Sequence, residues 1–257
     1  LGGLDGARTK AVLGLIATRA SGLKSQFGTM GKPFNAGIAA SNGVEAAQLV
    51  ARGFSPNPDA VEAPQGFGPT HAGVADLTAL DGLGRDWLFD RISHKFHACC
   101  HGLHAALEAL AELPDTSDIT AIEVRTHPNW LAVCNQPAPT TGLGAKFSYR
   151  TVVAMALQGI STAALDSFSD ATCRDPGVIA CRDRVRVVGD DSVSEMQAVV
   201  RVTNVRGTIE LRHDLDAAMP VETRLVKLRA KAATLLGGAA ANAAWGLAQD
   251  GSPAQIG

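Results

Sequence analysis

The chain has 257 residues, of which 46% are hydrophobic and 19% charged, and its formal net charge at pH 7 is −2. A chain of this size and composition can bury a sizeable core, which excludes an intrinsically disordered protein. The 23 Lys and Arg residues against 25 Asp and Glu give no overall basic field, so we expect no nucleic-acid partner. Any anionic ligand must therefore be bound by local groups.

Helical patterns dominate the first part of the chain. Asp5 is a candidate N-cap, and apolar residues recur at helical spacing over 6–21. Glycines and a proline break the periodicity over 26–34 and predict a loop. Small residues over 36–52 predict a closely packed helix that Gly53 can cap.

The middle of the chain begins with a loop and a helix. Four prolines make 54–70 a predicted loop. A helix is expected over 99–112, where Leu103, Leu107 and Leu110 form one stripe before Pro114. Its first residues overlap a cluster of histidines.

After Pro114 the sequence pattern changes to mixed helix and strand. Alternation predicts four strands, at 119–126, 182–188, 196–202 and 207–212. Helices are predicted at 148–158 and 161–168, and residues 221–247 return to helix. We therefore expect an α+β fold in which 1–92 and 215–257 form a mostly helical domain and 93–214 form a smaller inserted α+β domain.

Cysteine usage and hydropathy bear on the compartment. The five cysteines are odd in number and irregularly spaced, which favours reduced thiols over a disulfide framework and predicts a cytoplasmic protein. The first apolar stretch, 11–17, is too short to span a membrane, so we expect no membrane partner.

Two lysines are candidate binding groups for an anion. Lys32 lies between Gly31 and Pro33 in the predicted loop, and Lys95 lies just before the histidine cluster. An exposed lysine is often simply solvated. Together, however, these two could form a clamp for carboxylates.

Residues 93–104 contain four of the seven histidines. His97, His101 and His104 are spaced i, i+4 and i+7, which places them on one face of a helix if the helix begins early enough. Such a face could bind zinc, but no HExxH or CxxC pattern accompanies it, and we predict no metal site. The histidines could instead cap or pack in the core. The best fit is anion binding or proton transfer together with Lys95.

Several common motifs are absent from the sequence. No G-x-G-x-x-G follows a predicted strand, and there is no P-loop and no G-x-S-x-G. Nucleotide cofactors and serine hydrolysis therefore lose their usual support. We expect chemistry on a small acid that needs no cofactor.

Several motifs together resemble the MmgE/PrpD family. They are Thr18-Arg-Ala-Ser-Gly-Leu23, Phe27-Gly-Thr-Met-Gly-Lys-Pro-Phe-Asn-Ala-Gly37, the small-residue segment from Ala39 to Phe54, Lys95-Phe-His-Ala-Cys-Cys-His-Gly-Leu-His104 and Ala145-Lys-Phe-Ser-Tyr149. Their order and spacing extend over much of the chain, which makes the resemblance more specific than any single motif.

The resemblance implies cofactor-free enzymes that act on small di- and tricarboxylates, including 2-methylcitrate dehydratase, cis-aconitate decarboxylase and iminodisuccinate epimerase. It also implies a helical domain with a smaller α+β domain, a site in the cleft between them, and a homodimer. The expected activity is elimination of water, as in 2-methylcitrate dehydratase. Decarboxylation, epimerisation, or a binding or oligomerisation role of an incomplete chain remain alternatives.

The resemblance also implies roles for particular residues. Lys32 and Lys95 match the two active-site lysines, and His104 matches the histidine that ends the second motif. Positive charge there would stabilise the carboxylates and the enediolate-like transition state. Met30 and Gly31, beside Lys32, and His97, within the second motif, are the expected substrate-binding residues.

The sequence departs from the family pattern in three respects. Asn35 stands where many relatives carry histidine after the Lys-Pro pair, and Lys95-Phe-His-Ala replaces the common Lys-x-Tyr-Pro. Relatives also carry a helical segment upstream of the position of residue 1, which contributes further catalytic groups. We therefore expect an active site that is incomplete without that segment.

Overall fold

The computed structural model describes residues 3–71, 73, 74 and 76–250. The contacts divide the chain into two compact units, Leu1–Ile92 and Ser93–Gly257. Within the described residues, no helix combines the length and the hydropathy needed to cross a membrane.

The first unit is built from helices and short turns. Its α-helices are α1 (Gly6–Ala17), α2 (Gly31–Ala51) and α3 (Phe67–Thr70), and its 3-10 turns are Lys24–Gln26, Leu77–Leu80 and Leu88–Arg91. A small core of Val12, Ala46 and Val50 joins α1 to α2. The predicted N-cap of α1 is confirmed, because Asp5 accepts a hydrogen bond from the Arg8 amide at 2.8 Å.

Helix α2 begins earlier than the sequence predicts. Lys32 and Pro33 lie in its first turn rather than in a loop. Proline is tolerated there because the first amides of a helix have no partner within the helix. The predicted cap at the other end is confirmed: Gly53 adopts φ +92° and its amide donates to the Val50 carbonyl at 3.0 Å.

The second unit combines one sheet with eight helices in its described part. The strands are β1 (Ile119–Thr126), β2 (Val185–Gly189), β3 (Gln197–Asn204) and β4 (Gly207–Asp214). The helices are α4 (His104–Leu110), α5 (Pro128–Cys134), α6 (Gly142–Ala145), α7 (Tyr149–Leu157), α8 (Asp170–Arg174), α9 (Pro176–Arg182), α10 (Val221–Leu236) and α11 (Gly238–Asp250). The predicted α+β class is confirmed.

The sheet has the strand order β2-β1-β3-β4. Strand β1 is parallel to β2 and antiparallel to β3, and β3 and β4 form an antiparallel hairpin. Helix α4 packs on β3 and β4, and α7 packs on β2 and on α4. The main core lies between the sheet and these two helices, where Val124, Val152 and Val200 are fully buried.

Two of the predicted helices are corrected by the structure. Residues 161–169 contain no helix. This segment instead binds the backbone of the histidine-rich segment, since the Thr162 carbonyl accepts from the Ala98 amide at 2.8 Å. The helix predicted over 221–247 is two helices, separated at Gly237, whose φ of +77° ends α10.

The domain boundaries of 1–92 with 215–257, and of 93–214, stay a prediction. In the structure, α10 and α11 are grouped with the second unit. Helix α10 carries Lys227 and Lys231 four positions apart, which places both on one face of the helix.

Candidate functional site

The histidine-rich segment is not helical over its first residues. The Ala98 amide donates to the Thr162 carbonyl at 2.8 Å, and the Cys100 amide donates to the Lys146 carbonyl at 2.9 Å. These two hydrogen bonds to other segments keep the backbone non-helical up to the 3-10 turn His101–Leu103, which leads into α4. The helix predicted over 99–112 therefore begins later than expected.

Three imidazoles nevertheless meet in this region. The ring centroid of His104 lies 5.1 Å from that of His97 and 5.3 Å from that of His101. His97 lies outside the helix, so the three do not share a helix face. The backbone turn between 97 and 104, rather than helical spacing, brings the rings together.

His104 is the most buried member of this group. Its side chain is 1% exposed, and its Nε2 atom makes no hydrogen bond within the part of the chain that is described. Burial, followed by the nearby positive charges of His97, His101 and Lys95, lowers the pKa of His104 to about 3. A hydrogen bond to the backbone of Cys99 opposes this shift. The imidazole is therefore uncharged near neutral pH.

His97 is held from both sides. Its Nδ1 lies 2.7 Å from the Thr162 hydroxyl oxygen, and its Nε2 lies 3.3 Å from Oε1 of Glu108. Glu108 is buried on α4 and also forms an ion pair with Lys227 of α10. Burial alone would raise the pKa of Glu108, but the contacts with His97 and Lys227 outweigh it and lower that pKa to about 2.

Lys95 lies at the exposed side of the histidine group. Its Nζ donates to the Cys99 carbonyl at 3.3 Å. Burial and the charge of Lys95 lower the pKa of His101, while Asp216 acts in the opposite direction. The structure thus brings together three of the site residues that the sequence predicts: Lys95, His97 and His104.

Two further lysines, neither of which the sequence predicts as a site residue, lie near Lys95. Lys146 lies within the motif before α7, with its Nζ 5.4 Å from the centroid of the Phe168 ring. Lys231 of α10 donates from Nζ to the Ala163 carbonyl at 3.2 Å. Burial, and then the charges of Lys146 and Lys95, lower the pKa of Lys231, against an opposing effect of Cys99. No sequence pattern marks Lys231, because its position depends on how α10 packs.

The other predicted site residues belong to the first unit. Lys32 places its Nζ 4.4 Å from the centroid of the Phe27 ring, and Met30 is 73% exposed. The Gly31 amide donates to the Thr29 hydroxyl oxygen at 3.1 Å, and a Cβ at Gly31 would crowd the Gln26 side chain. Their roles in substrate binding and catalysis stay predictions.

The cysteines and histidines do not form a metal-binding arrangement in the described residues, since no group of three or more His, Cys, Asp or Glu there is placed to hold a metal ion. All five cysteines are buried, and none of them forms a disulfide bond. Burial raises the pKa of the Cys99 thiol to about 12, despite the three lysines nearby. These thiols therefore behave as packing groups.

The second unit matches a known protein family. The model of the MmgE/PrpD C-terminal domain matches residues 97–243, which is more than half of the chain. The match begins at His97 and extends through the sheet into α11, so it includes His104, Lys146 and Lys231. The chain belongs to the MmgE/PrpD family. Lys32 and Lys95 lie outside the matched residues, so their correspondence rests on the motifs around them. No curated protein matches the chain.

Proposed function

We propose that the chain is a lyase-like enzyme that acts on a small di- or tricarboxylate and eliminates water, as 2-methylcitrate dehydratase does. The observation that carries the proposal is the buried, uncharged imidazole of His104, whose Nε2 has no hydrogen-bond partner in the described residues and whose pKa is lowered by burial and by the charge of Lys95 among others. A base beside cations suits the removal of a proton next to a carboxylate.

His104 is the proposed base. Because its Nε2 makes no hydrogen bond in the described residues, we assign to this atom the lone pair that accepts the substrate's proton. In the free protein its low pKa makes it a weak base. A bound carboxylate offsets the charge of Lys95 and so raises the pKa of His104. Substrate binding therefore activates the base.

The elimination follows from that proton transfer. Nε2 takes a proton from the carbon next to a carboxylate, and the electron pair is delocalised onto the carboxylate oxygens. Lys95 stabilises this negative charge. The electron pair then forms the carbon–carbon double bond while the carbon–oxygen bond breaks. The leaving hydroxide takes a proton from a cationic group of the site and departs as water.

The remaining features of the proposal follow the family resemblance. Lys32, Lys95 and His104 are the proposed catalytic residues, and Met30, Gly31 and His97 are the proposed substrate-binding residues. The proposed enzyme needs no cofactor, works as a cytoplasmic homodimer, and has the inserted-domain architecture of its family. What supports these assignments is the motif correspondence together with the family match to residues 97–243.

Deuterium exchange tests the proposal and separates the reaction types. The chain is incubated in D₂O with 2-methylcitrate, citrate, cis-aconitate or iminodisuccinate, and products are followed by proton NMR. Dehydration gives an alkene, decarboxylation gives carbon dioxide and an acid with one carboxylate fewer, and epimerisation incorporates solvent deuterium without loss of a group. Absence of both turnover and exchange with all four acids contradicts the proposal and favours a binding or oligomerisation role.

Two variants connect the activity to the site. His104→Gln removes the base, and we expect a fall in kcat of about 100-fold or more, in the range seen when general acid–base groups are lost. Lys95→Met should also abolish turnover. Lys24→Met, an exposed lysine of the first unit, is the matched control and should keep the parent rate. Full activity of His104→Gln would exclude His104 as the base.

A further inference from the structure

Three lysines surround the segment 98–100 in the second unit. Lys95 is hydrogen-bonded to the Cys99 carbonyl, and the carbonyl of Lys146 accepts from the Cys100 amide at 2.9 Å. Lys231 donates to the Ala163 carbonyl, next to the residue whose carbonyl accepts from the Ala98 amide. We call Lys95, Lys146 and Lys231 the three-lysine cluster.

The cluster has no acidic partner among the described side chains. The acidic side chains of the described residues form ion pairs with other lysines, arginines and histidines. None of these ion pairs includes a member of the cluster. Two lysines of α10 differ in this respect. Lys227 is paired with Glu108, whereas Lys231, one turn later, donates to the Ala163 carbonyl and is close enough to Cys99 and the other two lysines for their charges to act on its pKa. Like charges gathered in a partly buried place are unfavourable until an anion joins them.

The ammonium groups keep donors for a ligand. Lys95 and Lys231 each use one hydrogen bond on a backbone carbonyl, and an ammonium has three protons. Lys146 and Lys231 are half-buried, whereas Lys95 is exposed. Lys95 and Lys231 therefore each keep two N–H donors that a bound anion can use.

We propose that Lys146 and Lys231, together with Lys95, bind a carboxylate of a small polycarboxylate, and that these two deeper lysines determine the preference for substrates with more than one carboxylate. This inference rests on the proposed function, since it names the group that holds the substrate's second carboxylate. The first carboxylate is the one next to the carbon from which His104 removes a proton.

Calorimetric binding of tricarballylate, which has no hydroxyl group to lose, tests the cluster without turnover. The full chain, Lys146→Met, Lys231→Met and the control Lys24→Met are compared at neutral pH. Methionine keeps an unbranched apolar side chain and removes the charge. We expect each cluster variant to weaken binding about tenfold or more, as for loss of a charge-assisted contact, and Lys24→Met to bind like the parent. Lys231→Arg should recover most of the affinity.

The outcomes separate this inference from the proposed function. Parent-like binding by Lys146→Met and Lys231→Met overturns the inference, while turnover in the NMR assay would leave the proposed function intact. No binding of tricarballylate by the parent also overturns it. Inorganic phosphate serves as the competing anion, and tighter binding of phosphate than of tricarballylate would overturn the assignment to a carboxylate.

Chemical labelling of the parent chain gives a second measurement, which does not require either variant to fold. Burial and the neighbouring lysines lower the pKa of Lys231, so its amine should react with acetic anhydride faster than a lysine of equal exposure. Tricarballylate should slow acetylation of Lys231 and Lys146 in the parent chain, as read by peptide mass spectrometry, and should leave Lys24 unchanged. If tricarballylate leaves the acetylation rates of Lys231 and Lys146 unchanged, the inference is contradicted.

Discussion

Glu108 of α4 forms an ion pair with Lys227 of α10, and the same carboxylate lies 3.3 Å from the His97 ring. The pair joins the C-terminal helix to the helix that follows the histidine segment. It also fixes one side of His97, whose other nitrogen contacts Thr162. The ion pair thereby links the packing of α10 to the geometry of the candidate site.

Replacement of Glu108 by Gln should therefore destabilise the second unit. Breaking a buried pair costs about 3–5 kcal/mol, and we expect about 1–3 kcal/mol here because Lys227 is partly exposed. Urea unfolding measures the change. Lys227→Met is the matched variant, and the double variant should lose less than the sum of the two single variants. Additive losses would show that the two side chains do not act as a pair.

The same carboxylate gives a pH dependence with a definite sign. The pKa of Glu108 is lowered to about 2 in the folded chain, against about 4.3 for an unperturbed glutamate. The contribution of the Glu108 carboxylate to the free energy of unfolding is therefore complete above pH ~4.3 and is lost as the pH falls toward 2. The Glu108→Gln variant should lack this share of the acid sensitivity, and equal acid sensitivity of parent and variant would contradict the assignment.

His104 should make stability depend on pH in a higher window. Its folded pKa is lowered to about 3, whereas a histidine in the unfolded chain titrates near 6.5. Between these values the unfolded state binds the proton and the folded state does not, so stability falls as the pH drops from about 6.5 toward 3. Urea unfolding at pH 7 and pH 4.5 measures the difference.

Replacement of His104 alone tests whether its imidazole is the source of this pH dependence. The His104→Gln variant should show a smaller loss of stability between pH 7 and pH 4.5 than the parent. His71→Gln, at an exposed position of the first unit, is the control and should behave as the parent does. An unchanged pH dependence in His104→Gln would show that the buried imidazole is not the titrating group.

The buried thiols should resist alkylation in the folded chain. All five cysteines are buried, and the pKa of Cys99 is raised to about 12, so almost no thiolate is present at neutral pH. Iodoacetamide should therefore modify Cys99 only when urea unfolds the second unit, as followed by mass spectrometry. Rapid modification of Cys99 in native buffer would contradict both its burial and its raised pKa.

The sequence predicts strands better than it predicts the site. Strand β1 was predicted with the bounds that it has, 119–126, because its alternation reports directly which side chains face the core. The histidine spacing suggested a shared helix face, yet the backbone bonds of Ala98 and Cys100 to other segments delay the helix. Lys231 could not be predicted, since only the packing of α10 brings it beside Lys146. Contacts between distant segments leave no local pattern.

Tyr149, the one tyrosine of the chain, holds the turn that precedes His104. Its hydroxyl is fully buried, donates to the Gly102 carbonyl at 2.6 Å and lies 2.8 Å from the Thr126 hydroxyl oxygen. Tyr149→Phe leaves the Gly102 carbonyl without this donor, and we expect a loss of about 1–3 kcal/mol in the free energy of unfolding.

The effect of Tyr149→Phe on catalysis should exceed its effect on binding if the turn positions His104. The Gly102 carbonyl belongs to the 3-10 turn that ends where His104 begins α4, so a shifted turn displaces the base. We expect kcat to fall and the affinity for tricarballylate to stay near that of the parent. Thr126→Val removes the other partner and should restore part of the stability when combined with Tyr149→Phe, because it removes the unsatisfied hydroxyl. A lower affinity with unchanged kcat would show instead that the turn supports the binding of the substrate.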